Sequence, residues 1–143
     1  MSLHGTYDDQ NIFAKIIRGE APAAKLLETD DVIAFMDVFP QAKGHCLVVP
    51  KHPARNLLEL PAEAAQAAMV EVKRLAEATD KALSPDGITI AQFNGAPAGQ
   101  TVFHIHFHVI PQWEGEKLAS HGGGKMADTA ELEALAERIR AAL

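Results

Sequence analysis

The sequence predicts an α+β fold: a mainly antiparallel five-stranded sheet with one long and one short covering helix, plus a C-terminal helix. Three observations predict it. Lys25–Glu28 and Val32–Phe35 are strand-like and joined by the polar turn Thr29-Asp30-Asp31, which reads as a hairpin. Ile88–Asn94 and Thr101–Ile110 are strand-like and separated by a loop containing Gly95 and Gly99. Pro61 to about Leu83 is the longest stretch with apolar residues at helical period.

In chain order, residues 11–18 place Ile12 with Ile16 and Phe13 with Ile17 at helical spacing, and Gly19 is a plausible stop. After the hairpin, His45–Val49 is an apolar strand closed by Pro50, which cannot extend a ladder. The long helix carries proline at its favoured first position. Its stripe is Ala65, Ala68, Met69, Val72, Leu75, Ala76, Thr79 and Leu83. Ser84-Pro85-Asp86-Gly87 makes a turn before the fourth strand. Gly122-Gly123-Gly124 marks a flexible connection. The last helix begins with Asp128 as cap and Glu131 three residues on, and shows Leu132, Leu135, Ala136, Ile139 and Leu143 on one face.

A chain of 143 residues, 48% apolar and 22% charged, suits one globular domain spanning 1–143. Cys46 is the single cysteine, which excludes an intrachain disulfide and a cysteine-rich zinc module. The apolar stretches are far shorter than the roughly 20 residues of a membrane span. The N-terminus lacks a basic segment followed by an apolar run, so no secretory signal is expected and the cytoplasm is favoured. A formal charge of −6 without a Lys/Arg cluster argues against a polynucleotide partner and leaves a small nucleotide open.

Seven histidines are the compositional oddity. In His104-Ile105-His106-Phe107-His108-Val109-Ile110, polar and apolar residues alternate at period two. On a strand, Phe103, Ile105, Phe107 and Val109 would face the core. His104, His106 and His108 would then line the other face at about 6.6 Å intervals. Upstream, Asn94-Gly95-Ala96-Pro97-Ala98-Gly99-Gln100-Thr101 has the glycines that let backbone N–H groups turn toward an anion, as phosphate-binding loops do.

The run GQTVFHIHFHVIP resembles the signature of the histidine-triad family. Phe35 to Lys51 resembles that family's aspartate, proline-glutamine loop and histidine-initiated strand, and Ile12 to Pro22 its N-terminal helix. The matches span residues 11–111, leaving 112–143 as a C-terminal extension. The resemblance implies hydrolysis at the α-phosphate of a purine nucleotide conjugate, with no cofactor. It assigns His106 as the nucleophile that forms a nucleotidyl-imidazole intermediate. A neutral imidazole suits that role, and neighbouring histidines disfavour its protonation. His108 is assigned as donor to a phosphoryl oxygen, and Thr101 would reach the leaving-group atom. Asn94, Gly99 and the amide of Gln100 would help hold the phosphate, with His45 and His104 orienting the cluster. Asp37 would accept from the ribose hydroxyls. Phe13, Ile16, Phe35 and Val38 would form an apolar slot around the base, although core packing accounts for each of these four equally well. The family commonly forms twofold dimers across a sheet edge, so a homodimer is expected.

The sequence mixes branches. Its N-terminal helix resembles the nucleoside phosphoramidase (Hint) branch, while Ala98 to Val102 also resembles the dinucleoside-polyphosphate hydrolase (fragile histidine triad) branch. Asn11 and Ala14 stand where some members carry a zinc-binding cysteine pair, so that zinc is not expected. His108, in place of the glutamine of the nucleotidyltransferase branch, favours hydrolysis over transfer. Two other readings stay open: a metal site built from the triad with His45, and a nucleotide-binding module without turnover. His4, His52 and His121 read as surface residues. Trp113 reads as buried or lining the pocket, Glu133 and Glu137 as solvated, and Cys46 as facing away from His45.

Overall fold

A computed structural model describes residues 2–121 and 124–143; Gly122 and Gly123, two of the three glycines read as a connection, lie outside the described residues. Helix α1 (Ile12–Ile17) starts at Asn11, whose side-chain oxygen accepts from the Ala14 N–H and satisfies one donor of the open first turn. Strands β1 (Lys25–Glu28) and β2 (Val32–Met36) form the expected hairpin, with the Thr29 hydroxyl accepting from the Asp31 and Val32 N–H groups. Strand β3 (Cys46–Pro50), helix α2 (Ala62–Leu83), strands β4 (Gly87–Ala91) and β5 (Phe107–Gln112), and helix α3 (Thr129–Ala141) complete the order. The five strands make one sheet, β1-β2-β3-β5-β4, antiparallel at every pairing. The α+β expectation holds. No described helix is long and apolar enough to cross a membrane.

Several expected boundaries move. Pro50 is paired with Val32 as the last residue of β3 rather than lying beyond it. Pro61 caps α2 with an extended ψ of 147° instead of occupying its first turn; its missing N–H is harmless at either position. The fourth strand stops at Ala91, not Asn94, because the Gln92 and Asn94 amides bond to each other and Asn94 Oδ1 accepts from the Leu57 N–H. The largest correction concerns Thr101–Ile110. The strand begins only at Phe107, so His104 and His106 do not sit on a continuous ladder. In the irregular stretch before it, the Ile105 N–H donates to Ala54 O and the Gln100 side chain to Val102 O. On the helices, Met69 and Leu143 are 49% and 37% exposed, outside the buried stripes to which the pattern assigned them.

Both faces of the sheet are covered, and strand alternation sorts residues between them. Val32, Ala34 and Met36 of β2, Cys46 and Val48 of β3, and Phe107 and Val109 of β5 pack with Ala68, Val72, Leu75 and Ala78 of α2 and Leu132, Leu135, Ala136 and Ile139 of α3. Ile33, Phe35, Leu47 and Val49 point the other way and pack with Phe13 of α1. His108 lies opposite Leu47 in the register, so it shares this second face. Asp37 and His45 follow β2 and precede β3 in the same phase, and the Asp37 N–H bonds to His45 O.

Candidate active site

The second face gathers His45, His106 and His108 under α1. The His106 and His108 ring centroids are 5.0 Å apart, and His45 and His108 are 5.1 Å apart. All three are buried. Phe13 sets its ring edge-on to His106 at 4.8 Å, and Phe93 does the same to His108 at 5.4 Å.

Hydrogen-bond directions fix the tautomers. His106 Nδ1 lies 2.7 Å from His104 O; a carbonyl can only accept, so Nδ1 carries the hydrogen and Nε2 keeps a bare lone pair. His45 Nδ1 accepts from the Gln41 N–H at 2.9 Å, which places its hydrogen on Nε2. That group donates to His108 Nδ1 at 2.9 Å, so His108 carries its own hydrogen on Nε2. This N–H is buried and finds no partner among the described residues. A buried donor left open costs free energy unless a ligand takes it. The cluster thus offers a nucleophilic lone pair beside an unoccupied donor.

His104 turns to other partners. Its Nε2–H donates to Pro50 O at 2.7 Å, and its Nδ1 accepts from the Tyr7 hydroxyl at 2.6 Å. Its backbone carbonyl, rather than its ring, orients His106.

Burial holds the cluster neutral. It depresses His106 and His45 to about 4, and it pushes His108 to about 2 with help from neighbouring His106 and His45. His104 is also lowered, chiefly by burial. Asp37 moves the other way, raised to about 6 by burial against the opposing Phe39 N–H bond. Its Oδ2 lies 3.3 Å from His45 Nε2. With these values, carboxylate and imidazolium do not coexist, and above pH 6 the contact is a neutral N–H facing an anion. Ligand atoms of Asp37, His45 and His108 all lie within 4.8 Å of one another, a donor set that could hold a metal ion, although two of the nitrogens already share a hydrogen bond.

The Gly95–Gln100 loop is a single 3-10 turn, Ala96–Ala98, flanked by glycines with φ of +89° and +109°. Gln100 organises it from within: its Oε1 accepts from the Gly95 N–H, and its Nε2 donates to Arg55 O and Val102 O. The Gln100 backbone N–H is itself bonded to Gly95 O. Asn94 is engaged with Gln92 and Leu57, and Thr101 is exposed. Of the expected base slot, Phe13 and Phe35 are buried edge to face at 5.5 Å. Ile16 lines an open hollow of about 330 Å³ with Ile17, Ala23 and Ile33, and Val38 is 37% exposed.

The surface reading of His121 is wrong. Its ring lies 5.2 Å from His108 and 4.7 Å from Phe93, and its Nε2–H donates to Gly99 O at 2.7 Å. The segment carrying it is tied to the Asp37 loop, with Ala119 N–H bonded to Gln41 O and Gln41 Nε2 to Ala119 O. Nothing in local periodicity marks His121; its residue type is the only signal. His4 and His52 are exposed, as expected, and Trp113 is half-buried. Cys46 is fully buried on the α2 face, where burial pushes its thiol up to about 12.

Four histidines in ring contact, His45, His106, His108 and His121, with complementary tautomers and a glycine-flanked loop beside them, define a histidine-cluster site. The HIT domain family model matches residues 18–115, and the chain belongs to that family. It is 44% identical over 112 residues to the adenosine 5'-monophosphoramidase HNT1 of Saccharomyces cerevisiae, covering 78% of this chain and 68% of the yeast protein. The crystal structure of a Hit-like protein involved in cell-cycle regulation from Bartonella henselae, with an unknown ligand, superposes with a TM-score of 0.92. It is 49% identical, covering 97% of this chain and 100% of that one. A Zn-bound histidine triad family protein from Mycobacterium smegmatis gives a TM-score of 0.82 at 34% identity, covering 93% and 92%.

Proposed function

We propose that this chain is a hydrolase that cleaves a phosphoramide or phosphoanhydride bond at the α-phosphate of a purine nucleotide conjugate. The observation carrying this reading is the bare Nε2 of His106 next to the open Nε2–H of His108. Nε2 of His106 forms a bond to phosphorus while the bond to the leaving group breaks, and the departing amine or phosphate takes a proton from solvent, which the attacking water of the next step gives back. Water then attacks phosphorus, the N–P bond breaks, and the monophosphate and neutral His106 are released. His108 donates to a phosphoryl oxygen as its charge grows. Asp37 accepts from the ribose, and Phe13, Ile16, Phe35 and Val38 flank the base. Asn94, Gly99, Gln100 and Thr101 surround the phosphate and leaving group.

Likeness to the yeast monophosphoramidase favours a phosphoramidate over a dinucleoside polyphosphate. A homodimer fits the open edge of β4: Ile90 is 44% exposed on the face that α2 covers, and Met69 and Val70 of α2 are 49% and 64% exposed.

The test is a panel of adenosine phosphoramidates and dinucleoside polyphosphates, with mass spectrometry to trap a nucleotidyl-His106 adduct. His106→Ala is expected to keep the fold and lose turnover by several orders of magnitude; retention of a tenth of the wild-type kcat refutes the assignment. Asp37→Ala is expected to raise KM or lower kcat/KM through lost ribose positioning. A second reading, a metal centre at Asp37, His45 and His108, draws on their close approach and on the Zn-bound relative. Stoichiometric metal in protein purified without chelator, with activity lost on its removal, favours that alternative.

A further inference from the structure

The geometry points to Tyr7 as a positioning residue for His106, acting through His104. This inference rests on His106 as the nucleophile. It begins with the irregular backbone at 101–106, where no strand ladder holds the carbonyl that orients the attacking ring. That carbonyl belongs to His104, and its position depends on the bond from the Ile105 N–H of the same peptide to Ala54 O and on what grips the His104 side chain. Two contacts do so from opposite ring nitrogens: Nε2–H to Pro50 O at 2.7 Å and Nδ1 to the Tyr7 hydroxyl at 2.6 Å. Because Nε2 donates to a carbonyl, Nδ1 can only accept, so the Tyr7 hydroxyl donates its hydrogen. The hydroxyl oxygen accepts in turn from Asn11 Nδ2 at 3.1 Å, while Asn11 Oδ1 caps α1. The Tyr7 ring meets His104 edge-on at 5.7 Å.

The chain of donors therefore runs from Asn11 through Tyr7 to His104. The His104 carbonyl then receives the Nδ1–H that leaves His106 Nε2 bare. It links the start of α1, which also supplies Phe13 against His106, to the tautomer of the nucleophile. Removal of the hydroxyl leaves His104 Nδ1 without a donor and frees its ring to turn or exchange tautomer. The carbonyl is then held by the Ile105 N–H bond without the full side-chain grip, and the fraction of His106 with a bare Nε2 falls. Small displacements of a reacting group have large kinetic effects.

The test is Tyr7→Phe, which deletes one oxygen and keeps the ring. The expected result is a kcat about tenfold lower with KM within twofold. Nitrogen-15 NMR should show His106 losing its Nδ1–H tautomer in proportion. A kcat within twofold of wild type overturns the proposal. So does a lower kcat with the His106 tautomer unchanged, or a lower melting temperature with full turnover per folded molecule. Asn11→Ser keeps a capping oxygen but loses the donor to Tyr7. It is expected to shift kcat and tautomer in the same direction by less, and it serves if Tyr7→Phe fails to fold. If the wild type hydrolyses nothing in the substrate panel, the functional reading fails, while the NMR signature still decides the role of Tyr7.

Discussion

Acid should destabilise this protein through the histidines at its centre. His45 and His106 are held near 4 by burial, whereas an unfolded histidine titrates at about 6.5. Lowering the pH from 7 to 5 protonates the unfolded chain at both positions while the native rings stay neutral. The unfolded state then binds more protons, so stability falls with pH, and the loss runs from about 6.5 down to about 4. Each of the two contributes a loss of about 2 kcal/mol by pH 5. Asp37 acts in the opposite sense: its native value near 6 lies above that of an unfolded carboxyl, so it takes up a proton on folding in this window and offsets about 1 kcal/mol. The net loss from these three groups is about 3 kcal/mol, and His108, lowered still further, acts in the same direction as the other histidines. Urea unfolding at pH 7, 6 and 5 measures this directly. Turnover provides a separate check, because a neutral His106 keeps kcat nearly flat to pH 5 while protonation of Asp37 below 6 raises KM. Equal or greater stability at pH 5 than at pH 7 would refute the argument.

Gly44→Ala should cost about 2 kcal/mol, because φ is +86° and the new methyl meets the Leu83 side chain and comes within 3.2 Å of Pro111; a melting curve checks it. Gln100→Ala removes the bonds to Gly95, Arg55 and Val102, and is expected to lower kcat/KM more than tenfold with a smaller change in melting temperature. His121→Ala should change the ranking of leaving groups across a phosphoramidate series, since its ring touches His108 and Gly99 O; an unchanged ranking counts against any contact with substrate.

The elements and the core of the site were legible where one signal dominated. Helical spacing located α2 and α3, and Asp128 does cap α3, accepting from the Glu131 N–H. Histidine on alternate positions pointed to His106 and His108, which the fold brings together although only His108 lies on a strand, while the His104 ring turns away to Tyr7 and Pro50. What could not be read is where long-range side-chain bonds replace backbone ones. The end of β4 at Ala91 depends on Gln92, Asn94 and Leu57, the last from a distant turn. The divergence of the His104 ring depends on Tyr7, 97 positions away. His121 joins the centre through a fold-back after β5 that leaves no periodic trace. Val32 to Met36 are buried throughout, so hydrophobicity alone did not reveal which residues face the histidines.

That strict division of β3 between the two layers also acts as a frame check on folding. Shifting its pairing by a single residue would exchange every inward and outward position. The thiol of Cys46 would then point into the histidine cluster, and the imidazole of His45 would be driven among the leucines and alanines beneath α2. Such a misaligned chain loses hydrophobic contact and strands a polar ring at once, so the arrangement that gathers the histidines is also the one that survives thermodynamic proofreading.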